Sequence, residues 1–174
     1  MKLSALLILV CTILSGYTMA AENKIIYGYV EKAVLVDKNL TLSAKLDTGA
    51  KSASLSAIHI QQVEKNGKTY LSFLVPTKES EVAFVAEYVG DVKIKVRAGE
   101  NIKSTKDPLN RPVVLMRIRI GNMERTIPVN LANRKRFLYP LLLGRDAINS
   151  FSGLVDPSVS FNVKPIMLNN NEVK

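Results

Sequence analysis

The sequence predicts a mainly β domain with one short helix near its C-terminal end. Three observations carry this. Apolar and polar residues alternate with period two in several runs, most cleanly in Val92-Lys93-Ile94-Lys95-Val96-Arg97, the pattern of a strand with one buried and one solvated face. Turn residues separate such runs: Asn66-Gly67 lies between Val63 and the apolar stretch Tyr70 to Val75, the spacing of a tight hairpin. Helical character is confined to Asp146 to Phe151, which opens on an acid favourable to a helix N-terminus and is stopped by Gly153.

The first stretch reads as an export leader rather than as part of the fold. Lys2 supplies a positive start, Leu3 to Leu14 an apolar run, and Thr18-Met19-Ala20 small residues at the −3 and −1 positions of a cleavage site. Residues 1–20 are therefore expected to be removed, leaving a domain over 21–168 and a frayed Asn-rich tail over 169–174. The apolar run is shorter than the roughly 20 residues that cross a bilayer, so no stable membrane span is expected after cleavage. The expected location is the periplasm, with secretion as the alternative. Cys11 is the one cysteine and lies in this leader, so the mature domain is expected to have neither a disulfide nor a thiol nucleophile. Val10 before it is not small, which argues against a lipoprotein.

Ile25 to Val36, rich in β-branched and aromatic residues, predicts a first strand with a bulge at Gly28. Asp37-Lys38-Asn39 turns the chain into a second strand, Leu40 to Leu46. Ala53 to Ile58 alternates small polar with apolar residues, and the Asn66-Gly67 hairpin follows. Pro76 ends the next strand. Ala98 to Asn110 has no apolar periodicity and predicts an exposed loop. Pro112 to Ile120 and Glu124 to Leu131 form a hairpin about Gly121-Asn122-Met123, and Leu154 to Val163 is predicted as the last strand. No internal repeat or second domain is visible.

The formal net charge is +9. Such a balance draws acidic partners, including anionic envelope polymers, lipid headgroups or acidic substrates, and it also serves solubility. Lys93, Lys95, Arg97, Lys103, Lys106, Arg111, Arg117 and Arg119 stand against only Glu100 and Asp107 in that span. No aromatic residue is interleaved among them, and the chain has no Trp, so a nucleic-acid surface would lack its stacking partners.

The strand Leu40 to Leu46 delivers Asp47-Thr48-Gly49-Ala50. An acid at a strand end is held by the sheet behind it, Gly49 allows a tight turn beside the carboxylate, and the Thr48 hydroxyl can bridge to backbone groups of a facing loop. Asp, Thr and Gly are also ordinary turn formers. The second segment, Pro140-Leu141-Leu142-Leu143-Gly144-Arg145-Asp146, is an apolar run ending in Gly-Arg. The two together, in this order, resemble the catalytic turn and the hydrophobic-hydrophobic-Gly segment behind it in retroviral-type aspartic proteases. Tyr27-Gly28, Lys45 to Ser52, Arg111 to Val114, Asn133-Arg134, Tyr139 to Asp146 and Val155-Asp156-Pro157 resemble the retropepsin-like family of bacterial proteins often labelled "ATP-dependent zinc protease".

The resemblance implies a retropepsin-like acid-protease β-barrel and peptide-bond hydrolysis by Asp47. Thr48, Gly49, Ala50, Leu142, Leu143, Gly144 and Arg145 would support the site. With one Asp-Thr-Gly per chain, the resemblance further implies a homodimer acting on a peptide or protein substrate, each protomer giving one Asp47 to a shared pair. The zinc and ATP of the label find no support: His59 is the one histidine, there is no His-Glu-x-x-His helix, and no phosphate-binding Gly-Lys-Ser/Thr loop occurs. No metal or cofactor is expected. Two departures from the viral pattern stand out. The segment between Asp47 and Gly144 is longer than in viral enzymes, and Lys51-Ser52 replaces the acid that would meet Arg145. The first alternative is a non-catalytic periplasmic protein that keeps the fold to bind a peptide or polyanion, and a third reading is a metal-dependent hydrolase built from carboxylates alone.

Overall fold

The computed structural model describes residues 23–94 and 109–164. The predicted leader, residues 98–108 of the predicted loop and the tail 169–174 lie outside the described residues. Among the described residues eleven strands and one short α-helix follow in order: β1 (Ile25–Gly28), β2 (Val30–Leu35), β3 (Leu40–Leu46), β4 (Ala53–Ser56), β5 (Ile58–Lys65), β6 (Lys68–Pro76), β7 (Glu81–Ile94), β8 (Leu109–Ile120), β9 (Met123–Ala132), β10 (Leu141–Leu143), α1 (Arg145–Ser150) and β11 (Gly153–Asp156).

The main sheet runs β2-β3-β10-β4-β9-β8 and closes because β2 also pairs with β8, through Ala33↔Ile120 to Leu35↔Ile118. Closure removes the free edges that an open sheet would expose. The barrel interior is filled by alternate residues along each strand: Leu42, Ala44 and Leu46 of β3 and Val114, Met116, Ile118 and Ile120 of β8 are all buried. Beyond β8 the sheet continues outward as β7-β6-β5. Phe73 and Phe84 stack there with centroids 5.9 Å apart. The Asn66-Gly67 turn joins β5 to β6 with both residues at positive φ, 52° and 72°, as a tight hairpin requires.

Two strand expectations are corrected. Ile25 to Val36 is not one bulged strand: β1 and β2 belong to different sheets, and Val36–Lys38 is a 3-10 turn. The chain breaks at Tyr29, whose N–H leaves the ladder for the Val159 carbonyl, and Gly28 is required beside it because a Cβ there would lie 2.6 Å from that same carbonyl oxygen. The last strand ends at Asp156 rather than Val163. Pro157 offers no N–H to a ladder, and the Asp156 carboxylate accepts the Ser158 N–H at 2.8 Å and its hydroxyl at 2.6 Å, turning the chain. β11 pairs in parallel with β1, Ile26 opposite Leu154. The following residues strap back across β1: Tyr29 N–H donates to the Val159 carbonyl and Phe161 N–H to the Val30 carbonyl. The fully buried Glu31 carboxylate fixes the strap by accepting N–H groups of Gly28 at 2.7 Å, Asn162 at 2.9 Å and Val163 at 3.3 Å.

Candidate active site

β3 places Asp47 by alternation. With Leu42, Ala44 and Leu46 turned into the barrel, Ser43, Lys45 and then Asp47 must turn outward. β10 inserts between β3 and β4, parallel to the first and antiparallel to the second. The Leu143 carbonyl accepts the Asp47 N–H at 2.9 Å. The turn then closes on the acid: Asp47 Oδ1 accepts the Gly49 N–H at 3.0 Å and the Asp47 carbonyl accepts the Ala50 N–H at 3.2 Å. A Cβ at Gly49 would lie 3.2 Å from that same Oδ1, so glycine keeps the N–H in reach of the carboxylate.

The Leu-Leu-Leu-Gly-Arg segment splits its work by strand parity. Leu141 and Leu143 are buried in the barrel, while Leu142 faces outward along the cleft beside the turn. Gly144 is dictated by contact, since a Cβ there would meet the Lys51 and Ser52 carbonyl oxygens at 2.6 Å. That close approach lets the first amides of α1 hold the loop: Arg145 N–H donates to the Ala50 carbonyl at 2.9 Å and Asp146 N–H to the Lys51 carbonyl at 3.1 Å. Among the described residues Arg145 meets no acid. Its Nη1 donates instead to the carbonyls of Thr48 at 3.0 Å and Gly49 at 3.2 Å, which explains how the turn is held where Lys51-Ser52 stands in place of an acid. Asp47, Gly49, Ala50, Leu143, Gly144 and Arg145 thus form one bonded unit. Thr48 joins it through its carbonyl, and the residue is exposed.

The electrostatics of Asp47 have opposed causes. Burial pushes its carboxyl upward, but the Gly49 N–H, the Lys45 ammonium and the Ala50 N–H outweigh it and hold the group below its ordinary value. Lys45 Nζ stands 3.5 Å from Asp47 Oδ2. Beside the turn lies an open cleft of about 580 Å³, bounded by the loop from Ala50 to Ser54, the end of β7, and Arg111, Asn130 and Arg134. Lys51, Lys93, Arg111 and Arg134 make its wall cationic. Burial and the neighbouring Arg111 push the Arg134 guanidinium down, against the opposing charge of Asp47. Arg134 Nε donates to the Tyr139 carbonyl at 3.3 Å. Asn130 donates to the Ala53 carbonyl at 2.5 Å and to Ser52 Oγ at 3.3 Å, and receives Arg111 Nη1 at 3.5 Å. The Ser54 hydroxyl, on the same wall, is buried with no partner among the described residues.

Lys45, Ser54 and Asn130 were not singled out by motif reasoning. Lys45 was legible in principle, because residues two apart on a strand share a face. The others meet through registers far apart in sequence. His59 lies away from Asp47, at φ 52° where β5 is irregular, along a second groove. Among the described residues no three His, Cys, Asp or Glu side chains gather in a metal-binding arrangement.

Residues 26–165 match the family model described as "RimB-like: Retropepsin-like aspartic endopeptidase RimB". The chain belongs to this RimB-like family. A solved structure, protein Lpg0085 of unknown function from Legionella pneumophila, is 58% identical with a TM-score of 0.71, covering 82% of this chain and all of that one. Two curated relatives named "Probable alpha-L-glutamate ligase", from Shewanella halifaxensis and Shewanella pealeana, are each 31% identical over 144 residues. These matches span 81% of this chain but only 30% of each relative. The RimB-like region is therefore one part of those longer proteins.

Proposed function

We propose that this chain is an aspartic endopeptidase of the cell envelope, completed by a second copy of itself and acting on peptides with acidic side chains. The observation that carries the reading is Asp47: a carboxylate fixed through backbone on both sides of its turn, yet 29% exposed beside an open cleft. A single carboxylate cannot serve as both base and acid in one step. Two Asp47 groups brought face to face would share one proton, because like charges a few ångströms apart do not both ionise readily. The ionised member takes a proton from water, whose oxygen attacks the peptide carbonyl carbon, while the protonated member donates to the carbonyl oxygen. Collapse of the tetrahedral intermediate breaks the C–N bond, and a proton passes to the leaving amine. Thr48 hydroxyls would lock the two loops together, and Arg145 would hold each turn rigid through its carbonyl bonds.

Support for a second copy comes from the sheet beside the turn. The Tyr29 carbonyl accepts the Leu46 N–H, one residue before Asp47. Around Tyr29, Ile26, Leu154, Val159 and Phe161 leave large apolar side chains exposed. Soluble monomers seldom leave such surface together unless it is used for association. Support for acidic substrates comes from the cationic wall of Lys51, Lys93, Arg111 and Arg134, and from the presence of a related region in proteins named for ligating glutamate.

The test is hydrolysis of glutamate-rich, neutral and lysine-rich peptides of equal length. The expected order has the acidic peptide cleaved at the lowest KM. Lys51→Ala and Lys93→Ala should each raise that KM several-fold, the scale of a solvent-exposed charge pair, and leave the neutral peptide unaffected. Equal cleavage of all three would remove the acidic preference. Tight binding of the acidic peptide without turnover would favour the non-catalytic alternative.

A further inference from the structure

We infer that Lys45 is an electrostatic positioning residue for Asp47, favouring the ionised form of that carboxylate and so setting the pH range in which the site works. The inference rests on reading Asp47 as the catalytic acid. Its geometry is imposed by the strand: Lys45 and Asp47 are two residues apart on β3 and share its outward face. The ammonium reaches to 3.5 Å from Oδ2. Across the sheet from Lys45 stand Leu142 of β10 and Val30 of β2. Both are apolar, so neither register partner competes for the ammonium. Glu31, the acid on that part of β2, is buried and committed to backbone N–H groups of β1 and the strap.

The other charges around the turn are engaged differently. Arg145 of α1 is committed to the Thr48 and Gly49 carbonyls. Arg134, in the loop after β9, is buried against Tyr139 and the Phe137 ring, and acts on Asp47 only through its field. Lys51 follows the turn, and Asp146 at the start of α1 lies on the cleft wall. Lys45 alone of these cations places its charge within ion-pair distance of the carboxylate among the described residues. In a two-fold pair there would be two such ammonium groups for two carboxylates. Each stabilises the ionised form and offsets part of the repulsion between the acids, so both proton-loss steps of the pair move to lower pH. The balance at Asp47 runs the same way: burial raises its carboxyl, and the Gly49 N–H and then Lys45 lower it below the ordinary value.

The sign for a variant follows. Removing the ammonium destabilises the carboxylate anion, so protons are held to higher pH. Lys45→Met should shift both limbs of the kcat/KM profile, measured on a peptide without ionisable side chains, upward by about one pH unit. That is the low end of the effect of an opposite charge at this range, since the Lys45 side chain is 45% exposed. Lys45→Arg should restore the wild-type limbs. Loss of a purely structural contact would lower the rate without moving them.

A second readout does not depend on turnover: carbon NMR titration of the Asp47 carboxyl, assigned by its absence in Asp47→Asn. Lys45→Met should raise that titration and Lys45→Arg should not; Lys45→Gln serves if the methionine variant fails to fold. Unmoved limbs or an unmoved Asp47 titration would overturn the inference. A raised titration in a protein that hydrolyses no peptide at any pH would uphold the coupling and defeat the endopeptidase reading.

Discussion

At Asp47 the same bonds that orient the carboxylate also tie its charge to folding. Its net displacement is below the ordinary carboxylate value, with burial opposing and the Gly49 N–H and Lys45 prevailing. A group with a depressed folded-state pKa contributes stability above its unfolded value, and loses it as pH falls through the folded one. Asparagine carries no such charge. In lone protomers, kept apart by dilution, Asp47→Asn should therefore flatten the loss of stability between neutral pH and the acid side of about pH 4. Urea denaturation of both proteins at the two ends of that range checks it: wild type should lose more stability than the variant, and equal losses would mean the Gly49 and Lys45 contacts do not act on the ionised form. The Asp-Thr-Gly turn was readable from sequence because each residue has a local reason to be there. The partner of Arg145 was not, since a guanidinium can meet a carbonyl or an acid, and only the tight passage of Gly144 beside Lys51 and Ser52 decides between them.

Among the elements, the strap after β11 shows what alternation alone cannot supply. Its residues look like a strand from Leu154 to Val163, yet Pro157 and the Asp156 turn end the ladder early. Two of the strap's backbone donors, at Asn162 and Val163, are then taken up by Glu31, the buried acid of β2. Three N–H groups rely on that carboxylate, so Glu31→Ala should cost about 3 kcal/mol or more, the scale of leaving buried donors unpaired. Hydrogen exchange at Gly28, Asn162 and Val163 should accelerate in the variant, with exchange in β8 and β9 changed only by global stability. Exchange rising equally everywhere would show that Glu31 does not act locally on the strap. Strand β3 and the hairpins of β5–β6 and β8–β9 were legible because period two and turn residues are local signals. The β1–β11 pairing, the break at Tyr29 and the meeting of Lys51, Arg111, Asn130 and Arg134 in one wall arise from contacts across the whole chain, which no window of sequence contains.

At the scale of the molecule, a closed barrel carries Asp47 at the end of β3, with a cationic cleft beside its turn and exposed apolar side chains at Ile26, Tyr29 and Leu154. If that apolar surface joins two copies, a charge in its middle should separate them. Leu154→Lys, at a position 54% exposed and so tolerated by the lone fold, should convert a dimer to monomer in sedimentation and abolish hydrolysis together; a monomeric variant retaining full activity would place the second acid within one chain. The most direct measurement remains the rate of peptide cleavage by wild type and by Asp47→Asn, with circular dichroism and sedimentation confirming an unchanged fold and assembly. Asparagine preserves the turn but can neither accept nor give the proton, so a fall of several orders of magnitude is the predicted result. Cleavage of the same peptide at an undiminished rate would contradict the account.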